Sequence, residues 1–184
     1  INVIKELTSG DVTAAVSGSA ADLAKLHTVG ADGDAITLTV SGTTAAAADL
    51  NTLNGLTSVD VNVAAVTTIT GDATAVNALY VTNIDKFTGL GNEAVTITGA
   101  TTAAQANTIA NATSGKVTAT VTADTAATLV GALGAAVATD ALTLTVNATP
   151  TAASDLILLD GKTSVDVKVD ATTVEGTFAE LNKG

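Results

Sequence analysis

The sequence predicts an α/β solenoid: a right-handed stack of coils in which short parallel strands alternate with short helices. Three observations predict it. Seven segments of alternating apolar and polar residues recur along the 184 residues. Ala-rich runs with helical spacing lie between them. A longer internal similarity returns after about 105 residues.

The strand segments begin at Val12, Ile36, Val59, Val95, Val117, Leu142 and Val165, at intervals of 24, 23, 36, 22, 25 and 23 residues. The clearest are Ile36-Thr-Leu-Thr-Val40, Val59-Asp-Val-Asn-Val63, Leu142-Thr-Leu-Thr-Val146 and Val165-Asp-Val-Lys-Val169. Period-two alternation of β-branched residues reads as a strand with one buried face. The apolar side, Ile36, Leu38, Val40, Val59, Val61 and Val63, is expected to face the helices. The opposite face carries Thr13, Thr37, Thr39, Asp60, Asn62, Thr96, Thr98, Thr118, Thr120, Thr143, Thr145, Asp166 and Lys168.

Helices are expected over residues 44–53, 101–112, 125–137 and 151–159, with N-caps at Thr43, Thr101, Asp124 and Thr149. Pro150, the only proline, then falls at a first helical position, where its missing N–H costs nothing. Gly55, Gly115 and Gly161 follow three of these runs, as glycines do at helix C-termini. Residues 1–7 read as the end of a helix. Strands joined by helical crossovers run parallel and turn right-handed. The coil length is that of leucine-rich repeats, but their L-x-x-L-x-L-x-x-N pattern is absent.

The longer period is read from matched segments. Thr8–Ala14 matches Thr113–Ala119, Asp34–Val40 matches Asp140–Val146, and Thr57–Val63 matches Thr163–Val169. Thr67-Thr-Ile-Thr-Gly71 resembles Thr172-Thr-Val-Glu-Gly176. The offset is 105 residues at first and at the last pair, and 106 between them. The whole of residues 1–184 therefore reads as one solenoid segment with a super-repeat of four coils. Residues 8–112 form one copy and residues 113–184 an incomplete second, inside a longer array. The 36-residue interval holds an extra stretch, residues 81–93, expected to project from the helix side with Phe87 and Leu90 folded back onto apolar surface.

Composition narrows the function. Apolar residues make up 47% of the chain but aromatics only 2%, so the core must be many small side chains in regular layers, as stacked repeats provide. The net charge is −11 with no arginine, which argues against nucleic acid and against anionic lipid as partners. No apolar run is long enough to span a membrane, so no insertion is expected from this segment. The first ten residues lack a signal-peptide pattern, so an export signal would lie outside them. The absence of cysteine is compatible with export without disulfides.

Gly89-Leu-Gly-Asn-Glu-Ala-Val95, together with Val66-Thr-Thr-Ile-Thr-Gly71 and Ala75-Val-Asn-Ala-Leu-Tyr80, resembles the Ala/Thr/Val-rich tandem repeats of very large cyanobacterial cell-surface proteins, the swimming-motility type foremost. The resemblance runs through most of the chain. It implies an exported, surface-attached, repetitive protein, and it brings no catalytic residues.

No catalytic, cofactor-binding or metal-binding residue is assigned, and no enzyme is expected. His27, the only histidine, reads as a helix-terminal residue, and one His without Cys makes neither a usual zinc cluster nor a triad. Asp32 and Asp34 flank Gly33; they read as turn-capping side chains, with calcium ligation as the alternative. Glu175 and Glu180 read as a solvated pair. Gly89, Gly91 and Gly131 form no phosphate loop. Tyr80, Phe87 and Phe178 are expected to pack. The function expected is a non-catalytic structural module of a cell-surface array: surface layer, filament or spacer. Its end coils should expose apolar faces that dock on the next copy. The alternatives are an ice- or surface-binding protein using the Thr-x-Thr face and a calcium-dependent adhesin segment.

Overall fold

A computed structural model describes residues 1–7, 10–26 and 35–182. The architecture is α/β, with parallel strands and short helices. Its contacts divide into two compact units, Ile1–Ala94 and Val95–Gly184.

Along the first unit run α1 (Asn2–Leu7), β1 (Thr13–Gly18), α2 (Ala20–Leu23), β2 (Ala35–Val40), β3 (Thr44–Ala46), α3 (Ala47–Asn54), β4 (Val61–Asn62), β5 (Thr68–Asp72), α4 (Ala73–Asn77) and β6 (Phe87–Thr88). A π-helical turn, Ala78–Thr82, and a 3-10 turn, Ile84–Lys86, lead from α4 to β6. Strands β1, β2, β4 and β6 form a parallel sheet in that order, and β3 pairs with β5, also parallel. The alternation in β2 is realised as read: Ile36, Leu38 and Val40 are buried, while Thr37 is exposed and Thr39 half-buried. Leu50 and Leu53 of α3, Val61, Val63 and Ile69 belong to the same core. Each such side chain contributes about 1.5–3 kcal/mol.

The second unit begins in β7 (Ala94–Thr101), followed by α5 (Ala103–Ala112), β8 (Val117–Val121), α6 (Ala126–Ala132), β9 (Ala141–Thr143), β10 (Thr145–Val146), β11 (Thr151–Ala152), α7 (Ala153–Asp160), β12 (Lys168–Val169), β13 (Val174–Glu175) and α8 (Phe178–Leu181). β8 lies between β7 and β9, β10 pairs with β12, and β11 with β13, all parallel. Ile109, Leu129, Leu133, Leu142, Leu144 and Leu159 fill the core.

Five expectations are corrected. The strands do not form one seven-stranded layer; they fall into separate sheets, because a second short strand precedes several of the helices. Residues 44–46 and 151–152 were expected to be helical and are β3 and β11. β-branched Thr favours extended backbone, and backbone bonds fix both segments: Thr67 N–H and Thr68 N–H donate to Thr43 O, at 2.8 and 3.0 Å, and Thr151 N–H donates to Thr173 O at 2.9 Å.

The caps shift accordingly. α5 and α6 are capped by Thr102 and Thr125, one residue after Thr101 and Asp124, and α6 ends at Ala132. α3 and α7 start after Ala46 and Ala152 without a side-chain cap, so Pro150 lies outside the helix. Gly55 and Gly161 do end their helices, but in right-handed conformation.

The stretch 81–93 is not only a loop or extra helix: beside the 3-10 turn it contributes β6 to the sheet, while Phe87 is buried, as expected, and stands opposite Val61. Gly89 has φ 90°, and a methyl on it would meet Ala64 Cα at 2.7 Å, so this turn is pressed against its neighbour and requires glycine. Finally, Phe178 does not pack; it is 86% exposed on α8.

Candidate functional site

The polar sheet face is the largest feature singled out by the sequence, and register decides what it can do. In the first unit Ser17 stands beside Thr39, Thr39 beside Asn62, and Asn62 beside Thr88. Neighbouring side chains in such a rank are about 4.8 Å apart. Asn62 is turned to its own backbone, its Oδ1 accepting Ala64 N–H at 3.0 Å. The rank is therefore a mixed one of hydroxyls and a self-capped amide.

In the second unit Thr96 stands beside Thr118, but the next pair is broken. β7 shifts register between Thr96 and Ala100, so Ala100, not Thr98, faces Thr120. Gly99 takes φ 77° in this bulge, a conformation open to glycine. Thr120 then stands beside Thr143. Thr145 faces Lys168, whose Nζ lies 2.9 Å from Asp170. A charge and a bulge interrupt the Thr-x-Thr pattern, and none of the thirteen face residues named above is buried.

His27, Asp32, Gly33 and Asp34 lie outside the described residues. Asp140, the residue matched to Asp34 by the internal repeat, is described, and it is a backbone-binding carboxylate. It is buried; Oδ1 accepts Val117 N–H at 2.8 Å and Oδ2 accepts Val137 N–H at 3.0 Å. Its main-chain oxygen accepts from Ser164 N–H and Ser164 Oγ, at 2.6 and 2.8 Å. Both carboxylate oxygens are thus committed to strand and turn.

Glu175 and Glu180 have different employments. Glu175 is exposed on β13. Glu180 closes a capping box on α8, its Oε2 accepting Thr177 N–H at 2.7 Å and Thr177 Oγ at 2.8 Å. The Thr177 backbone N–H, then its hydroxyl, hold the Glu180 carboxyl below its usual range. Asp22 is likewise lowered, first by its hydrogen bond to Lys25 at 2.7 Å and then by Ser19. Gly131 sits in α6 facing open space. Among the described residues no group of three His, Cys, Asp or Glu is placed to hold a metal ion.

One polar cluster was not foreseen. Tyr80 Oη donates to Glu93 Oε2 at 2.9 Å, and Gly91 N–H donates to the same oxygen at 2.9 Å. Tyr80 and Glu93 are both buried. The π-helical turn swings Tyr80 inward, and Gly91, at φ 123°, aims its N–H at the carboxylate. This ties the Gly-Leu-Gly-Asn-Glu run to the α4 end, a structural use of Tyr80.

No helix among the described residues is long and apolar enough to cross a membrane. No family model matches the chain, and neither a curated protein nor a solved structure is similar to it.

Proposed function

We propose that the chain is a non-catalytic structural module: a stretch of right-handed solenoid from a longer repeat array on a cell surface, serving as layer, filament or spacer. The observation that carries this reading is the recurrence of the same contacts at the sequence offset of 105–106 residues. Thr57 Oγ donates to Ile36 O at 2.6 Å, and Thr163 Oγ donates to Leu142 O at 2.8 Å. Val59 N–H returns to Thr57 Oγ at 3.2 Å, and Val165 N–H to Thr163 Oγ at 3.1 Å. A methyl on Gly71 would stand 3.1 Å from Ala47 Cβ, and one on Gly176 2.8 Å from Ala153 Cβ. Asp72 caps α4 where Thr177 caps α8.

The register supports the same reading. Paired residues stand about one coil apart in sequence, from Thr13↔Ala35 to Thr151↔Val174. Each coil therefore leans on its sequence neighbour, which is how a stacked array gains its stability. The resemblance to giant cyanobacterial surface repeats supplies the location, extracellular and surface-attached, and the −11 charge suits a solvated coat. Self-association or continuation of the array is the partner implied.

The test is a set of chains carrying one to six head-to-tail copies of the 105-residue repeat, measured by small-angle scattering and electron microscopy. Four coils at about 4.8 Å each add about 19 Å per copy. A rod that lengthens by that increment supports the reading. Separate beads, each adding a full domain diameter, would overturn it.

A further inference from the structure

We infer that the C-terminal face formed by β12, β13 and α8 is a docking surface for one more coil of this same repeat, a segment with the chemistry of residues 78–112. The inference rests on the stacked-repeat reading and names the partner that one particular face takes.

The argument comes from comparing repeat-matched positions. Val63, Ile69, Ala73 and Val76 are buried in the first unit. The matched residues Val169, Val174, Phe178 and Leu181 are exposed, Phe178 by 86% and Leu181 by 54%. The same apolar pattern is thus present twice and covered once.

The backbone repeats the contrast. β4 is bonded on both edges, to β2 through Thr39↔Asn62 and to β6 through Val61↔Phe87 and Asn62↔Thr88. Val63 N–H donates to Thr88 O at 2.9 Å, and Ala94 N–H donates to Thr67 O at 3.0 Å. Among the described residues β12 pairs with β10 alone and β13 with β11 alone. Two adjacent strand edges and an apolar patch of valine, phenylalanine and leucine call for a parallel strand with a helix behind it, not a small ligand. The cover on the matched face is known: the π-helical turn with Leu79 and Tyr80, then β6, then the segment reaching Ala94. Asn182 matches Asn77, so residues 78–112 joined after Asn182 would continue the chain in phase.

The experiment uses single cysteines in a chain that has none. Val169→Cys and, as the matched buried control, Val63→Cys are made in the chain as it stands, and in a chain with residues 78–112 following Asn182. Thiol-labelling rates are measured at several protein concentrations. Val63→Cys is expected to label slowly in both chains. Val169→Cys is expected to label rapidly in the unextended chain and about tenfold more slowly or less in the extended one, at all concentrations, since labelling then waits for local opening. Equal rapid labelling of Val169→Cys in both chains, with Val63→Cys still protected, overturns this inference and leaves the stacked reading standing. Rapid labelling of Val63→Cys overturns both. Protection that rises with concentration in the unextended chain makes a second copy the occupant and overturns the inference, as does protection by a shuffled 78–112 sequence.

Discussion

Thr163 stands one coil after Leu142, and its hydroxyl completes Leu142's backbone. Oγ donates to Leu142 O at 2.8 Å and accepts Leu142 N–H at 2.9 Å, both groups being buried. A side chain here takes the part a neighbouring strand's peptide would take. It does so where β12 begins only at Lys168, too late to reach Leu142 itself.

Thr163→Val removes that bridge while keeping the shape. It leaves a buried N–H and C=O unpaired, at a cost of about 1–3 kcal/mol each. Urea unfolding should show a lower midpoint at unchanged slope. Thr163→Ser should retain most of the stability. Thr57→Val should cost less, since among the described residues the Thr57 hydroxyl bonds the Ile36 carbonyl alone across the coils. Equal losses at the two positions would refute the bridging role.

Asp140→Ala should be among the more damaging polar substitutions. Two N–H donors, of Val117 and Val137, lose a charged acceptor inside the fold, and hydrogen bonds to charged groups are worth about 1.5–3 kcal/mol. Asp140→Asn retains one acceptor and turns an amide N–H toward the other donor, so it should recover only part. Hydrogen exchange at the Val117 amide gives the local readout, and unchanged protection there in Asp140→Ala would contradict the assignment.

Two glycines should respond in opposite directions. Gly89→Ala forces a methyl to within 2.7 Å of Ala64 Cα at φ 90°, and a loss above about 2 kcal/mol is expected from clash and strain together. Gly131→Ala lies in α6 with open space around it, and the helix should gain up to about 1 kcal/mol. Thermal melting of the pair decides: a tolerated Gly89→Ala would mean the turn is not pressed against Ala64.

The capping box of α8 should be pH-dependent. Glu180's carboxyl is lowered from 4.5 in the folded chain by its bonds to Thr177. A depressed folded value means the contribution is fully present above the unfolded value, and it is lost as pH falls through the lowered one. The protection factors of the Glu180 and Leu181 amides, taken relative to the intrinsic exchange rate at each pH, should therefore fall below about pH 4.5 in the wild-type chain. Glu180→Gln, which has no proton to gain, should remove that dependence.

What the sequence disclosed depended on whether a pattern was long and one-sided. Ile36–Val40 and Leu142–Val146 could be read because alternate burial forces period two. β6 could not, since two residues, Phe87 and Thr88, carry no period. The starts of α3 and α7 were misplaced because Ala46 and Ala152 suit a short strand or a helix equally until neighbouring Thr residues bind the backbone. The Tyr80–Glu93 bond joins residues 13 apart through a π-helical turn, for which no local spacing exists. Phe178 was assigned to packing by its type, but its surroundings are what decide burial.

The register has a kinetic meaning as well. Among the described residues, strand partners are separated by as little as 20 residues, at Ala100↔Thr120, and by 26 at Val61↔Phe87. Each pairing thus closes a loop of nearly the same modest size, and loop-closure entropy depends only logarithmically on that size. Relative contact order falls as such a chain lengthens, because the separations stay fixed while the length grows. In the proposed array, folding would begin at any well-packed coil and spread outward one closure at a time, so adding copies would multiply starting points without adding a slower search.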